Sequence, residues 1–105
     1  MISIHVTVTK SSKEKIIGFI GRNTAEPLLL KTRFGIHTFF LRFPIDVVIL
    51  NKECIVKKIK VNLKPNSIFV WNPQWNNVLE LPQGYVQKHN MKIGQTLSII
   101  FSVKI

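Results

Sequence analysis

Four residues stand out for the chemistry that their surroundings demand of them. His37, Arg42, Asp46 and Glu80 each lie inside or beside a run of apolar residues that reads as a strand. A charge withdrawn from water is costly unless it is paired or hydrogen-bonded, so these side chains must find one another or a ligand. Their order suggests that Arg42 pairs with Asp46 or Glu80 at the rim of a pocket, with His37 nearby. A purely structural arrangement fits the same residues: Asp46 caps the turn after Pro44, and Arg42 locks it. If the group performed catalysis, Asp46 or Glu80 would be the general base and Arg42 an electrostatic stabiliser. Clustered charges alone point only weakly to such a role. The reading therefore leans towards binding rather than catalysis, and no residue is assigned as catalytic.

Other chemistry finds less support. His5, His37, His89, Asp46 and Cys54 include no pair with metal-ligand spacing such as His-Glu-x-x-His, so neither a metal nor a cofactor is expected. A single cysteine rules out an intrachain disulfide and a zinc site of four cysteines. Cys54 reads as a small hydrophobe, and neither it nor Ser67 sits in a nucleophile elbow. Gly18 and Gly21 do not make a phosphate-binding loop.

Charge is the strongest global signal. The 105 residues carry 15 Lys and Arg against 5 Asp and Glu, a formal net charge of +10. Lys57, Lys58, Lys60 and Lys64 could form a basic stripe, with Trp71, Trp75 and Tyr85 as stacking surfaces for nucleic acid or another polyanion. The alternative is a solvated lysine-rich surface, since the remaining basic residues are spread along the chain. Trp71 and Trp75 could also form a platform for a sugar or similar small ligand, or simply pack into the core.

The elements that must position these residues are mostly strands. Ile2 to Thr9 alternates apolar and polar residues with period two. Ser11 and Glu14 have capping-box spacing ahead of Ile16, Ile17 and Ile20, which predicts a short helix ended by Gly21. Strands are expected at Leu28 to Leu30, Ile36 to Leu41, Cys54 to Leu63, Ile68 to Trp71, Val78 to Leu81 and Thr96 to Lys104. Ile45 to Leu50 is almost continuously apolar, the mark of a strand covered on both faces. In the strand from Cys54, alternation places Ile55, Lys57, Ile59, Val61 and Leu63 on one face. A second helix is expected from Pro82 to His89, with Asn90 as its stop. The fold class is mainly β, with α+β as the alternative: a small jelly-roll-like sandwich or a partly closed barrel with one or two short helices, and a single domain over residues 1–105.

Residues 36–50, Ile-His-Thr-Phe-Phe-Leu-Arg-Phe-Pro-Ile-Asp-Val-Val-Ile-Leu, closely resemble the signature segment of the family called domain of unknown function 192. Gly18-Phe19-Ile20-Gly21-Arg22, Asn62-Leu63-Lys64-Pro65, Val78 to Gly84 and Lys92-Ile93-Gly94 resemble further family motifs in the same order. The resemblance spans about residues 13–100. It implies a compact, mostly β fold of the jelly-roll or barrel kind and brings no activity with it. Two positions depart from the pattern: Gln95 stands where Asp is usual, and the turn at Asn51 to Cys54 lacks the usual Gly. With no signal peptide and no stretch approaching the ~20 apolar residues of a membrane span, the expectation is a cytoplasmic binding or interaction module. Its open partners are a small ligand, weakly bound nucleic acid or other polyanion, and a second copy paired through an exposed strand edge at either terminus.

Overall fold

The structure is a computed structural model, and it describes residues 2–9, 27–39 and 41–102. The expected helix at Ser11 to Gly21 lies outside the described residues. Six strands form the main sheet: β1 (Ile2–Thr9), β2 (Leu28–Lys31), β4 (Ile45–Leu50), β5 (Val56–Leu63), β7 (Asn77–Pro82) and β8 (Leu97–Ser102). Their spatial order is β5-β4-β7-β2-β1-β8, with β1 parallel to both β2 and β8 and the other pairs antiparallel. β1 is therefore an interior strand, which corrects the expectation that both terminal strands offer edges. A second, two-stranded antiparallel sheet joins β3 (Gly35–His37) to β6 (Ile68–Val70). Among the described residues there is one short helix, α1 (Tyr85–Lys88).

Alternation through β4 explains the two cores. Val48 and Leu50 face an inner core with Ile4, Leu29, Leu79 and Leu81, which is covered by Val86 and Met91 in and after α1. Ile45, Val47 and Ile49 face an outer core with Leu28, Leu30 and Val78, covered by Ile36, Phe69 and Trp71 from the β3–β6 layer. With a core on each side, every β4 residue is buried. The sheet curls until its edges touch at one end. Ile55 bridges Thr96, Leu97 N–H donates to Cys54 O at 2.9 Å, and Val56 exchanges hydrogen bonds with Gln95 O and Gly94 N–H, each at 2.8 Å. Pairing stops there, so the sheet is not a closed barrel, and the architecture is a small β-sandwich-like fold.

Three elements depart most from the sequence reading. The strand expected over 36–41 ends at His37, because Thr38 turns the chain. Thr38 is fully buried, its hydroxyl donates to Lys64 O at 2.6 Å and accepts Ser67 N–H at 2.9 Å, and its carbonyl accepts the amides of Leu41 and Asn66. The second helix begins at Tyr85 rather than Pro82, since Pro82 still pairs with Ile45 in the sheet. In β5, two register shifts reset the alternation. Val56 and Ile59 both face the inner core, while Leu63 faces the outer one.

Candidate functional site

The β5 irregularity builds the site. Ile45 pairs with Leu63 but Val47 pairs with Lys60, so β5 carries one extra residue there, and Asn62 takes a positive φ of 54°. Asparagine tolerates this left-handed conformation better than most side chains. The bulge leaves the Asn62 amide without a ladder partner, and Asp46 supplies one: its Oδ1 accepts Asn62 N–H at 2.9 Å. The other oxygen, Oδ2, accepts the amides of Gly84 and Val86, both at 3.1 Å. Gly84 is the N-cap of α1, with φ 86°, and has no side chain to cap the helix itself. Asp46, 1% exposed, therefore caps α1 from across the fold and holds the bulge with the same carboxylate.

These two held walls enclose an open cleft of about 470 Å³. Asn62, Gln83, Gln87 and Asn90 supply carboxamides, Val61, Val86 and Met91 supply apolar surface, and Lys92 is the single cation in its lining. Gln83 Nε2 donates to Asn62 Oδ1 at 2.9 Å, joining the walls. The departure at Gln95 shapes the far wall: Gln95 Oε1 accepts Lys92 N–H at 2.8 Å, and Nε2 donates to Asn90 O at 3.2 Å. An aspartate could accept the first bond but could not donate the second. On α1, Tyr85 stacks on His89 at 4.0 Å between ring centroids, and burial raises the Tyr85 pKa above its ordinary value. The other departure, the Asn51 turn, is closed without glycine. Asn51 Oδ1 accepts the amides of Glu53 and Ile55 at 3.0 and 2.9 Å, and Cys54 takes a φ of 63°.

The four polar residues singled out in the sequence do not form one pocket. Asp46 points to the inner core side, whereas Glu80, fully buried between its cross-strand neighbours Val47 and Leu28, lies on the outer core side. His37 sits on β3 opposite Ile68 and stacks on Phe39 at 4.7 Å. Arg42 is exposed, and no ion pair joins it to Asp46 among the described residues. A one-residue step along a strand reverses its face, so Asp46 and Glu80, on facing registers 46↔81 and 47↔80, are separated by the sheet itself. Of the four, Asp46 alone lines the cleft.

The aromatic pair and the lysines also part company. Trp71 is buried, and its indole N–H donates to Trp75 O at 2.7 Å, while Trp75 packs half-buried against the outer core. The pair staples a loop and offers no open platform. Lys58 folds over Phe69, its Nζ 5.0 Å from the ring centroid and 3.0 Å from Val70 O. Lys57 is half-buried at the second register shift, and Lys60 and Lys64 are exposed. Among the described residues no three His, Cys, Asp or Glu side chains gather as metal ligands, and no helix is long and apolar enough to cross a membrane. Sequence reasoning missed Thr38, whose hydroxyl joins two turns, Asn62, whose only signal was its place before Leu63-Lys64-Pro65, and the cleft residues Gln83, Gln87, Asn90 and Lys92, which look like ordinary surface polar residues in the sequence.

Comparison with known proteins agrees with this architecture. The profile of DUF192, described as "Uncharacterized ACR", matches residues 2–99. No curated protein matches the sequence. The fold is similar to a crystal structure of a protein of unknown function from Novosphingobium aromaticivorans DSM 12444, at TM-score 0.71 and 17% identity over 84% of this chain and 70% of that one. It is also similar to a structure from Sinorhizobium meliloti 1021 described as a "putative transcription regulator", at TM-score 0.74 and 18% identity over 85% of this chain and 76% of the other.

Proposed function

The chain belongs to the DUF192 family, and from that premise and the geometry of the cleft we propose that it is a binding module for a small, hydroxylated molecule carrying one anionic group. The observation that carries this reading is the division of labour around Asp46. Its carboxylate is committed to three backbone amides, so it fixes the walls of the cleft and is not available as a general base. What remains for a solute is a set of carboxamides, each both donor and acceptor, over an apolar floor, with Lys92 at one side. Carboxamides match hydroxyl groups, aliphatic surface matches the C–H face of a sugar ring, and one ammonium matches one carboxylate or phosphate. The volume falls in the range of about 300–1,000 Å³ usual for small-molecule sites. A cytoplasmic place of action, expected from the sequence, belongs to the same reading.

Isothermal titration with gluconate, glucose 6-phosphate and glucose tests it. Both anions are expected to bind more tightly than glucose, and Lys92→Ala should reduce that preference while Asn90→Ala weakens all three. Equal, unsaturable heats for the three probes would overturn the proposal.

A further inference from the structure

The β3–β6 layer has an outer face that the cleft does not use. Phe34, Phe39, Ile68 and Val70 are exposed there, three of them by 60% or more. The strand pairs Gly35↔Val70 and His37↔Ile68 place Val70, His37 and Ile68 on one surface. Phe39 continues it at one end by stacking on His37 with the rings 25° apart, and its N–H donates to His37 Nδ1 at 3.3 Å. Phe34 continues it at the other end, next to Gly35, turned outward by a φ of 73°. Gly35 is what lets the strip lie flat: a Cβ there would stand 3.0 Å from Val70 Cγ1 and 2.8 Å from Phe69 O.

Cations stand close to the strip residues along the chain and at the β6 backbone. Arg33 adjoins Phe34, Lys58 Nζ sits on the Val70 carbonyl, and Lys64 is tied through its own carbonyl to Thr38, between His37 and Phe39. Arg42 is exposed three residues beyond Phe39. Negative charge is scarce around them. Among the described residues Asp46 and Glu80 are internal, which leaves Glu53 as the one exposed carboxylate against ten Lys and Arg, none of them buried. A second copy of this chain would set like charges against each other on this face. A polyanion with flat apolar groups is complementary to both features at once.

We infer that the Phe34–Phe39 strip on the outer face of β3–β6 is a docking surface for single-stranded nucleic acid, with bases stacking on the Phe34 and Phe39 rings and phosphates meeting Arg33, Lys58, Lys64 and Arg42. Unpaired bases supply the π-faces that exposed rings accept, and a duplex hides them. This reassigns the stacking role that the sequence suggested for Trp71, Trp75 and Tyr85, and it is independent of the ligand proposed for the cleft.

The test is fluorescence anisotropy of labelled dT12 and of a 12-base-pair duplex, titrated with the full chain at 50 and 200 mM salt. Four phosphate contacts predict a loss of roughly 50-fold in dT12 affinity over that range, from a slope of about −0.7 per contact on single strands. Phe34→Ala and Phe39→Ala, both at exposed positions and checked for an unchanged circular dichroism spectrum, should each weaken dT12 by about tenfold. Removing Arg33 and Arg42 should halve the salt slope. Equal affinity for duplex and single strand, or undiminished dT12 binding by the Phe variants, would overturn the inference. So would Phe-dependent binding confined to phosphatidylglycerol vesicles or to polyglutamate.

Discussion

At the scale of single residues, Asp46 and Thr38 do comparable work by the same means: each satisfies backbone groups that an irregular chain would otherwise leave buried and unpaired. Asp46→Asn puts an amide NH₂ where one oxygen accepted an N–H, so it should lower stability by about 2–4 kcal/mol in urea titration. A change below about 0.5 kcal/mol would mean that the carboxylate does not hold the walls. Thr38→Val keeps the shape but strands the Ser67 amide, with an expected cost of about 1–3 kcal/mol in the same assay. Tyr85 adds to the loss of stability at alkaline pH. Its pKa is raised by burial in the folded protein, so the unfolded chain loses that proton first. The stabilisation is complete below the ordinary tyrosine pKa of about 10 and fades as pH rises through the raised value. Thermal melts from pH 8 to 11 should show a steeper alkaline loss for the native chain than for Tyr85→Phe, and parallel curves would contradict this.

At the scale of elements, period-two alternation in β1 and the nearly continuous apolar run of β4, interrupted only by Asp46, were legible, because each reflects burial on one face or two. The faces of β5 were not. A bulge costs one residue and reverses every side chain beyond it, yet it leaves no mark in hydrophobic periodicity, so Leu63 was assigned to the wrong face. The same limit hid the separation of Asp46 from Glu80: both are polar residues in apolar strands, and only the pairing of β4 with β7 decides which side each takes. What the sequence did carry was the importance of Asp46 and its structural alternative, capping, although the capped element is α1 rather than the turn after Pro44. The bulge itself can be tested at Asn62. Asn62→Val forces a β-branched residue into the left-handed region and should cost about 1–2 kcal/mol, whereas Asn62→Gly should stay within about 0.5 kcal/mol. Equal effects of the two substitutions in urea titration would show that the backbone there is not strained.

At the scale of the whole molecule, a six-stranded sheet with an edge at each side is curled until β5 and β8 meet at one end. The closure secures the inner core on which the cleft wall rests, since Val56 and Leu97 are both part of that core. The amides of Val56, Gly94 and Leu97 all donate across this junction. Hydrogen exchange should therefore show them protected to the level of β4, and loop-like exchange at these three would mean that the edges part freely. A mainly β class was readable from the short, turn-punctuated strands. The curl was not, because it depends on contacts between residues some forty positions apart. On the proposed function, the cleft held open by Asp46 receives an anionic, hydroxylated solute. The most direct measurement is a backbone amide NMR titration of the full chain with gluconate. Saturable shifts grouped at Val61–Asn62, Gln83–Gln87 and Asn90–Lys92 are expected, and Lys92→Ala should abolish them. Shifts scattered over exposed lysines in proportion to ionic strength would contradict it.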